Sequence, residues 1–123
     1  PVYRLLDTLG NKQKVCSSNA YGTENFLSNR RYLRFIPLRT GRYKFSVQPV
    51  SSGVAGLELL DRGSTILYVE GSTAGSATLV ASSDNALQSG RSYVLSVFHV
   101  GNVVKDSAVA ASDQCFQVWA QAL

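Results

Sequence analysis

Residues 42–48 read Arg42-Tyr43-Lys44-Phe45-Ser46-Val47-Gln48, apolar and polar by turns. A period of two is the spacing of a β-strand with one face in a core and the other in water. The strand predicted here turns Tyr43, Phe45 and Val47 inward, and Lys44, Ser46 and Gln48 outward. Just upstream, Tyr32-Leu33-Arg34-Phe35-Ile36-Pro37-Leu38 reads as another strand and Arg39-Thr40-Gly41 as a tight turn. The two strands are expected to form an antiparallel hairpin.

The same signature extends to both sides. Leu57 to Asp61 is a strand closed by Arg62-Gly63-Ser64, and Thr65 to Glu70, rich in β-branched and aromatic residues, pairs with it. Ala77 to Ala81 and Cys115 to Gln121 are further strands. Ser92 to Val100 is the strongest, and being apolar on both faces near its end it belongs in the middle of a sheet. Gly101 to Asp113 reads as a long loop, and no 11-residue window carries sustained helical spacing. About seven strands, with an eighth possible within Val2 to Leu9, predict an all-β fold, an antiparallel β-sandwich or jelly-roll. The organisation expected is one domain over 1–123, with 1–29 as an irregular N-terminal extension and 30–123 as the sandwich core. Asn11 to Asn29 is the least regular part.

A hydrophobic share of 45% excludes a disordered chain, and no run reaches the roughly 18 unbroken apolar residues of a membrane-spanning helix. Pro1 leads straight into Val2-Tyr3-Arg4-Leu5, which is expected of a mature product or an excised domain. Cys16 and Cys115 lie near the two ends, without a C-x-x-C pairing or a neighbouring His, so zinc is poorly supported. One disulfide between them is the natural expectation, and two separate buried thiols the alternative. A bridge places the chain outside the cytoplasm, secreted or in the periplasm or cell envelope.

Charge is uneven. Residues 1–44 hold nine basic side chains against Asp7 and Glu24, a net of +7, while the rest holds three against six, a net of −3, for a total of +4. The basic cluster Arg30-Arg31-x-x-Arg34 with Arg39, Arg42 and Lys44 is interleaved with Tyr32, Phe35 and Tyr43. That mixture suits single-stranded nucleic acid on an OB-like barrel. Outside the cytoplasm, acidic glycans or envelope polymers are the better polyanions, and nucleic acid is not favoured. A solvated outer face, where basic residues guard a sheet edge, is the plainer reading.

In order along the chain stand Tyr32-x-x-Phe35, Gly41-x-Tyr43-x-Phe45-x-Val47, Leu57-x-Leu59-Leu60-Asp61, Ser82-Ser83-Asp84-Asn85 and Gly90-x-x-Tyr93-x-Leu95-x-Val97. Together they resemble the bacterial pre-peptidase C-terminal domain, over roughly residues 26–121. The resemblance implies a β-sandwich appended to a secreted hydrolase, helping with substrate attachment, secretion or stability and doing no chemistry itself. Asn29-Arg30-Arg31 and Val54-Ala55-Gly56 stand where that family often carries acidic residues. With only eight scattered acids, calcium is not carried over, and neither a metal nor another cofactor is expected.

Nothing local makes a catalytic device. His99 is the single histidine, on a strand with Tyr93, Leu95 and Val97, and no Gly-x-Ser-x-Gly elbow exists. Glu58 and Glu70, on neighbouring strands, read as solvated charges rather than a glycosidase pair. Trp119 is a binding candidate. If Phe116, Val118 and Ala120 face the core, the indole lies on a polar face between Gln117 and Gln121, as a sugar-stacking plate would. The alternative packs it under the N-terminal segment. The reading is therefore a non-catalytic accessory or binding module whose partner is a polysaccharide or protein polymer. Arg31, Arg34, Arg42, Lys44 and Trp119 are its candidate contacts. The alternative is a protein–protein module of the bacterial envelope, an assembly component or an inhibitor.

Overall fold

The computed structural model describes residues 3–16, 30–50, 54–72, 77–100 and 115–123. Nine strands lie among them: β1 (Arg4–Leu5), β2 (Gln13–Cys16), β3 (Arg31–Phe35), β4 (Tyr43–Pro49), β5 (Ala55–Asp61), β6 (Ser64–Glu70), β7 (Leu79–Ser82), β8 (Tyr93–His99) and β9 (Cys115–Ala122). They form two sheets, ordered β1-β3-β8-β5-β6 and β2-β9-β4-β7. Every neighbouring pair is antiparallel except β1 and β3. The molecule is an all-β sandwich, as the alternating segments predict.

The core is the sum of the inward parities. Leu33, Phe35, Leu57, Leu59, Leu95 and Val97 of the first sheet meet Phe45, Val47, Phe116 and Val118 of the second, all fully buried. Phe35 packs edge-on against both Tyr43 and Phe45, with ring centroids 5.1 and 5.2 Å apart.

That contact also corrects the expected hairpin. β3 and β4 are not paired; β3 lies beside β8 in the first sheet and β4 between β9 and β7 in the second. The segment 36–42 carries the chain from one sheet to the other, pinned by the Gly41–Leu87 bridge and by the Gly90 amide on the Pro37 carbonyl. Two strongly amphipathic strands bury more apolar surface face to face across a core than edge to edge within one sheet.

The expected pairing of β5 with β6 is present, and its two-residue loop explains it. Arg62 and Gly63 both have positive φ, 52° and 82°, the pattern of a type I′ turn whose twist matches that of the strands. β8 is central, between β3 and β5, as its two apolar faces predict.

β1 falls within Val2–Leu9, the place of the possible eighth strand, whereas β2 stands in the stretch expected to be least regular. β1 adds to the edge of the first sheet, and β2 pairs along β9 in the second, with Cys16 directly opposite Cys115. Among the side chains described in β2, Val15 alone is buried, too little for a periodic signal; it is a strand because the eight-residue β9 presents a free edge to it. Residues 17–29 and the expected loop at 101–113 lie outside the described residues.

Candidate ligand-binding faces

A sandwich buries one face of each sheet, so its surfaces for contact are the two outer faces and the rims. In β9, Phe116, Val118 and Ala120 are buried while Gln117 and Trp119 are half-exposed and Gln121 exposed. Trp119 therefore faces out, on the polar parity expected for it. Its ladder partner is Ser46 on β4; Gln121 lies opposite Lys44, and Gln117 lies opposite Gln48 on one side and Lys14 on the other. Ser46 sits between Trp119 and Val80 in the same row and is only 2% exposed.

The N-terminal segment does reach the indole. Lys12 places its Nζ 4.6 Å from the ring centroid. The turn leading to Lys12 is held by Asp7, whose carboxylate accepts from the Leu9 amide and, at 2.9 Å, from Asn11 Nδ2. Those donors, Asn11 first, keep the Asp7 pKa below its ordinary 3.8. Gln13 then ties the turn down, its side chain bonding the Asp7 amide and the Leu5 carbonyl. The open edge of Trp119 is thus shared between water and one lysine.

The basic candidates do not form one patch. Arg42 and Lys44 have the outward parity of the second sheet, with Arg42 Nε 2.9 Å from the Ser83 carbonyl. Arg34 is on the opposite outer face, its Nε 3.1 Å from Ser92 Oγ. Arg31 has the inward parity of β3 at the sandwich rim and donates to the Arg30 carbonyl at 2.8 Å. Partial burial pushes its guanidinium pKa down. Because β3 and β4 belong to different sheets, the structure brings Arg42, Lys44 and Trp119 onto one face and leaves Arg31 and Arg34 with the other sheet. His99 ends β8, and its side chain is outside what is described.

The outer face of the first sheet carries a network that the sequence reading missed. The register sets Tyr32, Ser96, Glu58 and Tyr68 in one row across β3, β8, β5 and β6, and Tyr3 stacks on Tyr32 at 5.6 Å. Arg30 spans the row. It donates to Glu58 Oε1 at 2.9 Å and Ser96 Oγ at 3.1 Å, and lies 4.1 Å over the Phe98 ring. Thr65 donates to the other Glu58 oxygen, and the Tyr68 hydroxyl to Glu70, a bond that raises the phenol pKa. A Cβ on Gly56 would come within 2.4 Å of the Phe98 ring. That glycine was the one available signal, since a glycine inside a strand marks a close approach. Most of this face's charge is satisfied within the face itself.

At the rim, Leu5, Leu9, Ile36 and Leu38 line an open apolar groove of about 580 Å³. Among the described residues, no group of three or more His, Cys, Asp or Glu could hold a metal ion, and no helix is long and apolar enough to cross a membrane.

No protein-family model matches the sequence, and neither does any curated protein. Solved structures do match in fold. One is the pre-peptidase C-terminal domain of a collagenase from Bacillus anthracis, with a TM-score of 0.54 over 98% of this chain and 97% of that one, at 13% identity. Another is a β-glucosidase from Kluyveromyces marxianus in complex with glucose, with a TM-score of 0.50 at 17% identity. It matches 76% of this chain but only 11% of its own length. The fold class is thus that of the pre-peptidase C-terminal β-sandwich. The resemblance read from the strand motifs extends to the three-dimensional structure as a likeness of fold.

Proposed function

We propose that this chain is a non-catalytic accessory module of a secreted hydrolase, which holds the enzyme to a polymeric substrate. The observation that carries the reading is the end-to-end match in fold to the pre-peptidase C-terminal domain of a collagenase. The exposed polar face around Trp119 supplies a surface suited to the task.

A secreted setting goes with a covalent clasp, and we propose a Cys16–Cys115 disulfide. Directly opposed residues of an antiparallel pair have Cα atoms roughly 4.5–5.5 Å apart, within the span a disulfide bridges. Cys115, buried at the start of β9, is not a free thiol. The bond joins the N-terminal edge strand to the last strand.

The test is sedimentation of the purified chain with insoluble collagen, cellulose and chitin. Retention on at least one of them, reduced in Trp119→Ala, supports attachment. No retention on any of the three removes attachment to these insoluble polymers.

One observation favours a second reading, a protein–protein module of the envelope. Leu5, Leu9 and Leu38 expose more than half of their area around the rim groove, the kind of apolar patch that a protein partner covers. Loss of association with a native partner in Leu9→Glu, with polymer retention absent throughout, would select it.

A further inference from the structure

Among the described residues, the strands of the second sheet present cations and amides on its outer face but no acid. None of β2, β4, β7 and β9 contains an Asp or Glu, whereas β5 and β6 of the other sheet carry Glu58, Asp61 and Glu70. The ion pairs among the described residues, Arg30–Glu58 and Arg91–Asp61, both belong to the other sheet. Lys14 and Lys44 stand on this face without an acidic partner among the described residues.

Their placement is regular. Lys14 is opposite Gln117 on one side of β9, and Lys44 is opposite Gln121 on the other. Trp119 lies between those two rows. The three side chains mark a diagonal across β2, β9 and β4, its ends roughly 17 Å apart from the strand spacing and rise. A sheet face with an aromatic plate at the centre of the diagonal, amides beside it and a cation at each end suits an extended ligand. That ligand needs an apolar ring face, many hydroxyls and repeated negative charge. Acidic peptides have the charge but lack the stiff, hydroxyl-rich rings that the indole and the amides would read.

Building on the accessory-module reading, we infer that this face binds an acidic polysaccharide, a polyuronate or a sulfated glycan. The chain lies along the Lys14–Trp119–Lys44 diagonal. A sugar ring stacks on Trp119, Gln117 and Gln121 bond its hydroxyls, and the lysines meet successive acidic groups. Lys12 lies over the ring. A cation–π contact at an exposed site is weak, so the sugar displaces it, and its ammonium moves to the nearest acidic group of the ligand.

Trp119 is the only tryptophan, so its emission reports the site directly. The chain is titrated with polygalacturonate, dextran sulfate, neutral dextran and poly-L-glutamate, and the titrations are repeated at rising NaCl. The expected result is a saturable change in emission with the two acidic glycans, weakened about tenfold between 50 and 500 mM salt. Neutral dextran and poly-L-glutamate should bind far more weakly. Lys14→Glu, an exposed change that leaves the core alone, and Lys44→Ala should each weaken binding by roughly three- to tenfold, read by calorimetry. Tyr68→Ala on the opposite face should leave it unchanged.

Equal binding of poly-L-glutamate overturns the inference in favour of an acidic protein. Salt-independent binding of neutral dextran overturns the acidic specificity. Retention on collagen, cellulose or chitin with no binding of either acidic glycan removes this inference and leaves the accessory module standing. Silence in both assays removes both.

Discussion

Asp7 and Lys12 show how a few contacts at one turn reach the only indole. Asn11 and the Leu9 amide donate to the Asp7 carboxylate and hold its pKa below the unfolded value. A depressed folded pKa contributes stability that is present above the unfolded value of 3.8 and fades as pH falls through the folded one. Trp119 emission is therefore expected to stay constant down to about pH 4 and to change below it as the turn loosens and Lys12 leaves the ring. Asp7→Asn should show the loosened signal already at neutral pH. On the other face, the partly exposed Arg30 bonds Glu58 and Ser96 and covers Phe98. Arg30→Ala is expected to cost about 2 kcal/mol in urea unfolding, because a partly buried carboxylate loses its charged donor. Gly56→Ala should cost a similar amount, about 2 kcal/mol, because the Phe98 ring it strikes is confined between Arg30 and Tyr68.

At the scale of elements, the β5–β6 hairpin is the most local piece of the fold. Arg62 has no glycine's freedom at φ 52°, while Gly63 needs it at φ 82° and has open space around it. Gly63→Ala should therefore destabilise by about 1 kcal/mol through backbone strain alone, and Arg62→Asn should stabilise by about 0.5 kcal/mol. Both are read as shifts of the urea midpoint at constant slope. This hairpin was legible because its turn chemistry and its two alternating runs are contiguous in the chain. The separation of β3 and β4 into different sheets was not, although each strand was. Both segments have the parity of core strands, and parity alone does not distinguish a neighbour in the same sheet from a partner across the core. Only the edge-on packing of Phe35 against Tyr43 and Phe45 decides that, and it depends on where β8 and β9 come to lie.

For the whole molecule, β2 is held to β9 over four register pairs, and Arg4 of the first sheet donates to the Lys14 carbonyl at 2.9 Å across the rim. The proposed Cys16–Cys115 bond closes a loop of nearly the whole chain. Replacing both cysteines by Ser is expected to cost about 2–4 kcal/mol, seen by urea unfolding with and without reductant. The wild-type chain alone should respond to the reductant. An unchanged midpoint in the reduced wild type would show that the strand pairing suffices without the bond. Because β2 and its preceding turn carry Lys14 and Lys12, loss of the clasp should also weaken the acidic-glycan contact several-fold.

The sequence by itself determined the properties that repeat every two residues. These are the strand class of the fold, the inward set Tyr43, Phe45 and Val47, the outward position of Trp119 between two glutamines, and the central place of β8. Each follows from side chains alternating across a single strand, which needs no knowledge of the partner. The tertiary structure decided which sheet each strand joined. It divided the basic residues of 30–44 between the two sheets, turned a polar N-terminal run into β2, and assembled Arg30, Glu58, Ser96 and Phe98 from segments far apart in the chain. The reason is that pairing and packing are set by competition among all the strands for edges and core area, and no single stretch of sequence holds that information.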